Sequence, residues 1–186
     1  SSSSVYGSTK KFPLNENMNT DKPLSFYAST KKSNEVMAYS YSSIFGLRTT
    51  GLRFFTVYGP YGRPDMSLFK FVKNILLDKS IKVFNKGIHQ RDFTYIDDVV
   101  KYVEHLIFKK YDKLDKKNIP FNIYNVGNGK TVSLQNFIKI IQHNLDKKAK
   151  IQKYPLQKGD ILKTHSDVGK INKLIKFKKT DIKTGV

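Results

Sequence analysis

A tyrosine and a lysine stand four residues apart in the segment FYASTKKSNE, which runs from Phe26 to Glu35. Residues with this spacing project from the same side of a helix, so Tyr27 and Lys31 would lie next to each other. An ammonium group beside a phenol favours the phenolate, which makes a tyrosine usable as a base near neutral pH. The spacing alone also fits an ordinary half-buried helix face with a charge at its edge, so other residues have to decide between the two.

The elements that must position this pair alternate between helices and short strands, a pattern typical of an α/β fold. The pair is predicted to lie in the first turns of a helix that has Ser25 as its N-cap and ends at Gly46. The next segment, TTGLRFFTVYG, is rich in β-branched and aromatic residues. It is predicted to be a buried strand that ends in the turn GPYGRP.

Further elements follow along the chain. MSLFKFVKNILLDK is predicted to be an amphipathic helix, IKVFNKG and QRDFTYI two short strands, and FNIYNVGNG a strand and a turn. Asp97 and Ser133 are candidate N-caps for the helices DVVKYVEHLIFKK and LQNFIKIIQHNL. The run KKYDKLDKKN is predicted to be a solvated loop.

The composition is that of a globular protein of 186 residues, long enough for a domain with a real core. The chain has no cysteine, which excludes disulfides and suits a reducing compartment. It shows no apolar run of transmembrane length and no basic-then-apolar signal pattern in its first residues. We therefore predict a soluble, cytoplasmic protein without a membrane partner.

The formal net charge of +19 favours a polyanionic partner such as nucleic acid. Most of the positive residues are lysines spread along helices and loops, and no DNA- or RNA-binding motif accompanies them. We therefore predict no nucleic-acid partner, and keep a non-enzymatic basic binding module as the alternative of another class. The four histidines lack the spacing of a metal site, so no metal is predicted.

Four segments agree in order and spacing with one family: SSSSVYG, YASTKK, LRFFTVYGPYGRPDM and RDFTYIDD. The chain resembles the extended short-chain dehydrogenase/reductases, and among them the nucleotide-sugar 4-epimerases of the UDP-glucuronate type. The late segments YNVGNG and PLQKGD extend the resemblance over nearly the whole chain. The resemblance implies part of a Rossmann-type sheet together with a small α/β domain that binds the UDP-sugar.

No Gly-x-x-Gly-x-x-Gly sequence can be drawn in the chain, so the resemblance implies a C-terminal portion without the family's NAD-binding loop. Residues 1–60 would end the Rossmann-type domain, and residues 61–186 would form mostly the substrate-binding domain, with some segments returning to the first. We expect such a portion to be inactive alone and to associate through uncovered apolar faces. The intact enzyme is expected to be a homodimer.

The resemblance implies a role for each matching residue of the catalytic side. Tyr27 would be the acid/base at the sugar 4-hydroxyl, and Lys31 would bind the nicotinamide ribose of NAD and favour the phenolate of Tyr27. Ser2 would hydrogen-bond the same hydroxyl, with Ser3 and Ser4 as its neighbours. The cofactor contacts on this side fall on Tyr27, Lys31, Phe54 and Phe55.

Substrate recognition would fall on the later segments. Arg63 matches an arginine that holds the sugar carboxylate, because its planar fork suits that group. Arg91 matches the pyrophosphate-binding arginine, and Asp160 would bind ribose or orient Arg91. In the QKGD turn Lys158 replaces the family's proline, which leaves the shape of the turn open. The other candidate substrate-binding residues are Ser3, Ser4, Thr56, Lys73, Val83, Phe84, Asn85 and Gln157.

The implied reaction is NAD-dependent epimerisation at C4 of a UDP-sugar, from UDP-glucuronate to UDP-galacturonate, through a transient 4-keto sugar that turns in the site. Elimination of water, as in sugar 4,6-dehydratases, would need carboxyl groups where this chain has the hydroxyls of Ser2, Ser3 and Ser4. Two alternatives share the fold: UDP-glucuronate decarboxylation and epimerisation of a neutral sugar such as UDP-glucose. Ser4, Thr56 and Arg63 argue against both.

Overall fold

The computed structural model describes residues 1–108, 119–157 and 160–186, so the predicted loop KKYDKLDKKN and Lys158 lie outside it. Helices and strands alternate along the described residues, which confirms the predicted α/β class. The helices are α1 (Phe26–Phe45), α2 (Ser67–Leu76), α3 (Ile96–Phe108), α4 (Leu134–Leu145), α5 (Gly169–Asn172) and α6 (Ile182–Gly185). The strands are β1 (Thr49–Phe54), β2 (Thr56–Tyr58), β3 (Ile81–Phe84), β4 (Gln90–Arg91), β5 (Phe93–Tyr95), β6 (Phe121–Val126), β7 (Val132–Ser133) and β8 (Ile151–Tyr154). Turns of 3₁₀ helix occupy Ser3–Tyr6 and Asn85–Gly87.

Within the described residues the strands pair two by two, mostly in parallel. β1 lies beside β6, β2 beside β5 and β3 beside β8 in parallel register, whereas β4 and β7 run antiparallel. Parallel neighbours need a crossover connection, which is usually helical. α2 lies in the crossover from β2 to β5, and α3 and α4 lie between β3 and β8 along the chain.

α1 has the ends that the sequence predicts. The Oγ of Ser25 accepts a hydrogen bond of 3.1 Å from the backbone N–H of Ala28, and Gly46 follows the helix with a φ of 63°. This left-handed conformation favours glycine, because a Cβ would be strained there. The helix that carries Tyr27 and Lys31 is therefore bounded at both ends by local sequence signals.

The single strand predicted for TTGLRFFTVYG is wrong, because the structure divides it at Phe55 into β1 and β2. The N–H of Phe55 donates to the carbonyl of Val126 in β6, whereas the N–H of Thr56 donates to the carbonyl of Asp92, just before β5. The chain thus changes its partner strand between these two residues. QRDFTYI divides in the same way, into β4 and β5 on either side of Asp92.

The two predicted helix caps have different outcomes. Ser133 caps α4 as predicted, since its Oγ accepts a hydrogen bond of 3.2 Å from the N–H of Asn136. The prediction for Asp97 is wrong, because α3 already begins at Ile96 and Asp97 lies inside its first turn beside Asp98. Carboxylates in a first turn still favour the helix through its dipole.

Three hydrophobic clusters hold these elements together. The main cluster joins α2 and α4 to β3 and β5, and the rings of Phe93 and Phe137 stack in it with their centroids 4.3 Å apart. The second joins α3 and α5 to β6, and a smaller third surrounds Val5 and Phe55. Among the described residues no helix is both long and apolar enough to cross a membrane.

Candidate active site

The structure places Tyr27 and Lys31 side by side on the first turns of α1. The Nζ of Lys31 lies 5.4 Å from the centroid of the Tyr27 ring, and the tyrosine is more than half exposed. The predicted proximity is therefore present on a face of α1 that a ligand can reach. Proton transfer by Tyr27 and cofactor binding by Lys31 stay predictions.

A buried ion pair holds α1 one turn after Lys31. Both oxygens of the Glu35 carboxylate accept hydrogen bonds of 2.8 Å from the guanidinium of Arg53 in β1, and both side chains are almost fully buried. Burial alone would raise the pKa of Glu35, but the hydrogen bonds from Arg53 and Ser1 hold that pKa below its ordinary value. The pair thus holds α1 against β1 two turns after Tyr27.

Further hydrogen bonds extend from this ion pair to the serine-rich start of the chain. The guanidinium carbon of Arg53 lies 4.8 Å from the centroid of the Tyr6 ring, and the Tyr6 hydroxyl donates a 2.6 Å hydrogen bond to Oδ1 of Asn125 in β6. Tyr6 ends the 3₁₀ turn that includes Ser3 and Ser4. One buried network therefore positions both the Tyr27 helix and the serine turn.

The predicted serines lie in that turn. The Oγ of Ser2 accepts a hydrogen bond of 3.2 Å from the N–H of Ser4, and Ser2 forms an isolated parallel bridge with Phe54. The Oγ of Ser4 is buried and has no hydrogen-bond partner among the described residues. Ser3 is half-buried. The side chains of Ser2, Ser3 and Ser4 give this turn hydroxyl groups and no carboxyl group. The contact of the turn with a sugar stays a prediction.

Two neighbouring cavities receive most of the predicted substrate residues. The first, of about 680 Å³, is lined by Thr56, Arg63 and Lys73 among others, and we call it the Arg63 cavity. The second, of about 800 Å³, we call the Arg91 cavity; its lining includes Thr56, Phe84, Arg91, Gln157 and Asp160. Thr56 lies on the wall of both, so the two cavities adjoin at the start of β2.

Arg91 and Asp160 contact each other in the Arg91 cavity. Nη2 of Arg91 donates a 3.0 Å hydrogen bond to Oδ1 of Asp160, and whether Asp160 orients Arg91 or binds ribose stays a prediction. Burial lowers the pKa of Arg91 from its ordinary value, and the charge of Asp160 acts in the opposite direction. A guanidinium keeps its charge under these conditions, so the cavity holds a partly buried cation.

Arg63 is exposed and already engaged by a carboxylate. Its Nε donates to Oδ1 of Asp65 at 3.0 Å, and its Nη2 pairs with the other oxygen of the same group. The hydrogen bonds that Arg63 donates to Asp65, together with the negative charge of that carboxylate, raise the pKa of Arg63. Asp65 therefore occupies the guanidinium fork of Arg63, and the contact of Arg63 with a sugar carboxylate stays a prediction.

Other predicted residues contribute in different ways. Val83 is buried in the main cluster, while its neighbour Phe84 faces the Arg91 cavity. Asn85 begins a 3₁₀ turn with a φ of 47°. Phe55 is buried in the third cluster and Phe54 is half-buried against the second. The predicted contacts of these residues with nucleotide or NAD stay predictions.

Comparison with known proteins gives these features a context. Residues 1–127 match the model of the NAD dependent epimerase/dehydratase family. The chain belongs to this family. An uncharacterized protein of Methanocaldococcus jannaschii is 51% identical over 187 residues, which cover all of this chain and 55% of that protein. UDP-glucuronate 4-epimerase 4 of Arabidopsis thaliana is 44% identical over 197 residues, covering all of this chain and 45% of that enzyme.

The solved structures agree with the family assignment. The UDP-glucuronic acid 4-epimerase from Bacillus cereus, in complex with UDP-glucuronic acid and NAD, superposes with a TM-score of 0.89 at 32% identity. This match covers 100% of the present chain and 57% of the Bacillus cereus chain. The chain thus spans about half the length of the relatives it matches. The predicted family and Rossmann-type fold are confirmed.

Sequence reasoning missed some residues that shape the candidate site of this epimerase/dehydratase family member. The Glu35–Arg53 pair had one signal, an arginine inside a segment predicted to be a buried strand. His89 had another, since it stands two residues before Arg91 and alternate residues of an extended segment share a face. In the structure His89 is buried and lines the Arg91 cavity. Within the described ranges no group of His, Asp and Glu side chains could hold a metal ion.

Proposed function

We propose that this chain forms the substrate-binding and acid/base portion of an enzyme that epimerises C4 of UDP-glucuronate, giving UDP-galacturonate, with NAD as its cofactor. The observation that carries the proposal is the pair of adjoining cavities with an arginine in each. UDP-glucuronate carries negative charge at two places, the diphosphate and the sugar carboxylate. Arg91 suits the first and Arg63 the second, because a guanidinium fork binds either group with two hydrogen bonds.

The donors on α1 fit the ribose of NAD. An ammonium and a phenol stand together on a solvent-accessible face, and both can hydrogen-bond the hydroxyls of a ribose. Lys31 and Tyr27 would hold that part of the cofactor, with Phe54 and Phe55 as the further predicted contacts. NAD, when bound, supplies the reversible oxidation of the C4 alcohol.

The side chains of this chain supply proton transfer and positioning. Tyr27, with the ammonium of Lys31 beside its ring, removes the proton of the 4-hydroxyl and later returns it. Ser2 donates or accepts a hydrogen bond at the same oxygen. Arg91 would keep the diphosphate in place while the sugar turns, so that C4 could take back its hydride on the opposite face while Tyr27 returns the proton to the 4-oxygen. The proton balances over the cycle, because Tyr27 returns to the 4-oxygen the proton that it removed at the start. The 4-oxygen stays on the sugar throughout.

The hydroxyls of the serine turn favour epimerisation over the related chemistries. Dehydration and decarboxylation gain from a carboxyl group near C5, and the positions Ser2, Ser3 and Ser4 offer none. We further propose that the intact enzyme works as a homodimer. The apolar outer face of α1, which includes Val36, Ile44 and Phe45, supports a protein partner there.

The test uses this chain joined to the part of the Methanocaldococcus jannaschii relative that it does not cover, because these 186 residues contain no Gly-x-x-Gly-x-x-Gly loop. The chimera is incubated with NAD and UDP-glucuronate, and products are followed by NMR. We expect UDP-galacturonate and no net change in NAD oxidation state. A UDP-pentose with release of carbon dioxide would identify a decarboxylase, and conversion of UDP-glucose alone a neutral-sugar epimerase; either result would overturn the proposal.

A further inference from the structure

His89 is a buried imidazole whose role the proposed reaction does not explain. Its side chain is almost fully enclosed, yet it lies on the wall of the Arg91 cavity. Nε2 lies 3.2 Å from Oδ2 of Asp160, and among the described residues it has no hydrogen-bond partner of good geometry. Leaving a buried polar atom unpaired is unfavourable. Nε2 of His89 therefore has hydrogen-bonding capacity that Asp160 is close enough to use.

Asp160 links His89 to the arginine of the cavity. Its Oδ1 accepts the hydrogen bond from Arg91 and its Oδ2 faces His89, so one carboxylate stands between two potential cations. With a neutral imidazole, Asp160 cancels the charge of Arg91. With a protonated imidazole, His89 can neutralise Asp160, and the charge of Arg91 becomes available to an anion in the cavity.

Other charged groups face the same cavity, but histidine is the side-chain type that ordinarily titrates between about pH 5 and 8. The remaining charged residues that line it are Asp65 before α2, Lys70 on α2 and Lys82 on β3. Burial lowers the pKa of His89, Asp160 raises it in opposition, and Arg91 lowers it further. The imidazole is therefore neutral at neutral pH until a further negative charge arrives.

We propose that His89 is a proton-linked positioning residue for the diphosphate: when the nucleotide binds, His89 takes up a proton at Nε2, pairs with Asp160 and leaves Arg91 to the phosphates. The inference rests on the proposed function, because it takes the ligand of the Arg91 cavity to be a nucleotide diphosphate ester. His89 itself does not touch the ligand, since its Nε2 has no accessible surface.

The experiment is calorimetric titration of the 186-residue chain with UDP-glucose. This probe is chosen because its diphosphate is esterified at both ends and does not change its charge near neutral pH. Titrations in two buffers with different heats of ionisation report the number of protons taken up on binding. We expect net proton uptake by the unmodified chain, and an affinity that rises up to about tenfold from about pH 8 to about pH 6.

His89→Gln keeps a donor at about the position of Nε2 but cannot titrate. It should bind UDP-glucose with no proton uptake and with an affinity that does not depend on pH. His143→Gln, at an exposed position on α4, should behave like the unmodified chain. Proton uptake retained in His89→Gln, or absent from an unmodified chain that binds UDP-glucose, would overturn the inference while leaving the proposed function intact.

A folded chain that binds no UDP-glucose at any pH would overturn both the proposed function and this inference. A second measurement covers the case in which His89→Gln fails to fold. The imidazole C–H signals of the four histidines are followed by NMR against pH, with and without saturating UDP-glucose. One of the four should shift its titration midpoint upward on binding; identical midpoints in the two states would contradict the inference.

Discussion

Tyr27 and Lys31 stand on a helix that meets the protein along one side, whereas Arg91, Asp160 and His89 are enclosed by elements of the main core. The outer face of α1 is exposed and apolar; its uncovered side chains include Phe26, Val36, Met37, Tyr41, Ile44 and Phe45. The Arg91 cavity instead lies against α2, β3 and β5, which share one continuous hydrophobic cluster. The proposed catalytic side is thus held along one face of α1, and the proposed binding side lies against the main hydrophobic cluster.

The difference teaches that the proposed binding and proton-transfer roles fall on different parts of the structure. The proposed nucleotide side consists of residues that already contact one another. The proposed catalytic side depends on the buried Glu35–Arg53 pair to place α1, whose outer apolar surface is exposed. Substitutions should therefore separate turnover, stability and affinity for the UDP-sugar.

The largest effect is expected for Tyr27→Phe in the chimera. Loss of the phenol removes the acid/base, so turnover of UDP-glucuronate should fall about 10²- to 10⁴-fold, while the affinity for UDP-glucose stays unchanged. Initial rates by NMR and calorimetric affinity provide the two readouts. Tyr39→Phe, on the same helix, is the matched control and should keep its rate. Equal rates for the two variants would show that Tyr27 is not the acid/base.

The next largest effect is expected for Glu35→Ala. Removing one partner leaves the guanidinium of Arg53 buried and unpaired, which should lower the free energy of unfolding by about 3–5 kcal/mol. Urea titration monitored by circular dichroism measures this change. Glu104→Ala, at an exposed position on α3, should leave the unfolding free energy nearly unchanged. Similar losses in the two variants would contradict the role of the ion pair.

The same ion pair predicts a direction for pH dependence. Because the pKa of Glu35 is lowered in the folded protein, its contribution to stability is complete above the pKa of an unfolded glutamate, about 4.3. That contribution is lost as the pH falls through the folded value. The difference in unfolding free energy between the unmodified chain and Glu35→Gln should therefore shrink in acid. A difference that grows on acidification would show the opposite sign.

A smaller effect is expected for Arg91→Gln. Loss of a charge-assisted hydrogen bond of about 1.5–3 kcal/mol should weaken the binding of UDP-glucose about 10- to 100-fold. Calorimetric titration measures the dissociation constant, and Arg48→Gln at an exposed site is the control. An unchanged affinity in Arg91→Gln would place the diphosphate elsewhere.

The smallest effect compares the caps of the two regions. Ser25→Ala and Ser133→Ala each remove one capping hydrogen bond and should each lower the free energy of unfolding by about 1 kcal/mol. Only Ser25→Ala loosens the helix that carries Tyr27, so only this variant should also slow turnover of the chimera. If both variants slowed turnover of the chimera equally, the proposed difference between the two regions would be contradicted.

Local features of the fold could be predicted from the sequence, because their causes lie within a few residues. Ser25 and Gly46 bound α1 by capping chemistry, and the four-residue spacing brings Tyr27 to Lys31. The break at Phe55 could not be predicted, since it follows from two partner strands that are distant in sequence. The division into domains at residues 60 and 61 stays a prediction.

The candidate site shows the same limit. The resemblance pointed to Arg91 and Asp160 together, but their contact joins residues 69 positions apart, and only the folded chain brings His89 to the same carboxylate. The resemblance assigns Arg63 to the sugar carboxylate, and the structure adds that Asp65 already occupies its fork. Such details depend on tertiary packing and on competing local partners, which motif spacing does not encode.

The most direct test of the account is calorimetric titration of the chain with UDP-glucuronate, UDP-glucose and a short DNA duplex at moderate salt. The account predicts that both UDP-sugars bind, that the uronate binds more tightly, and that Arg63→Ala removes this difference while Arg48→Ala keeps it. Failure of a folded chain to bind either UDP-sugar, together with salt-sensitive binding of the duplex, would contradict the account and identify a basic binding module.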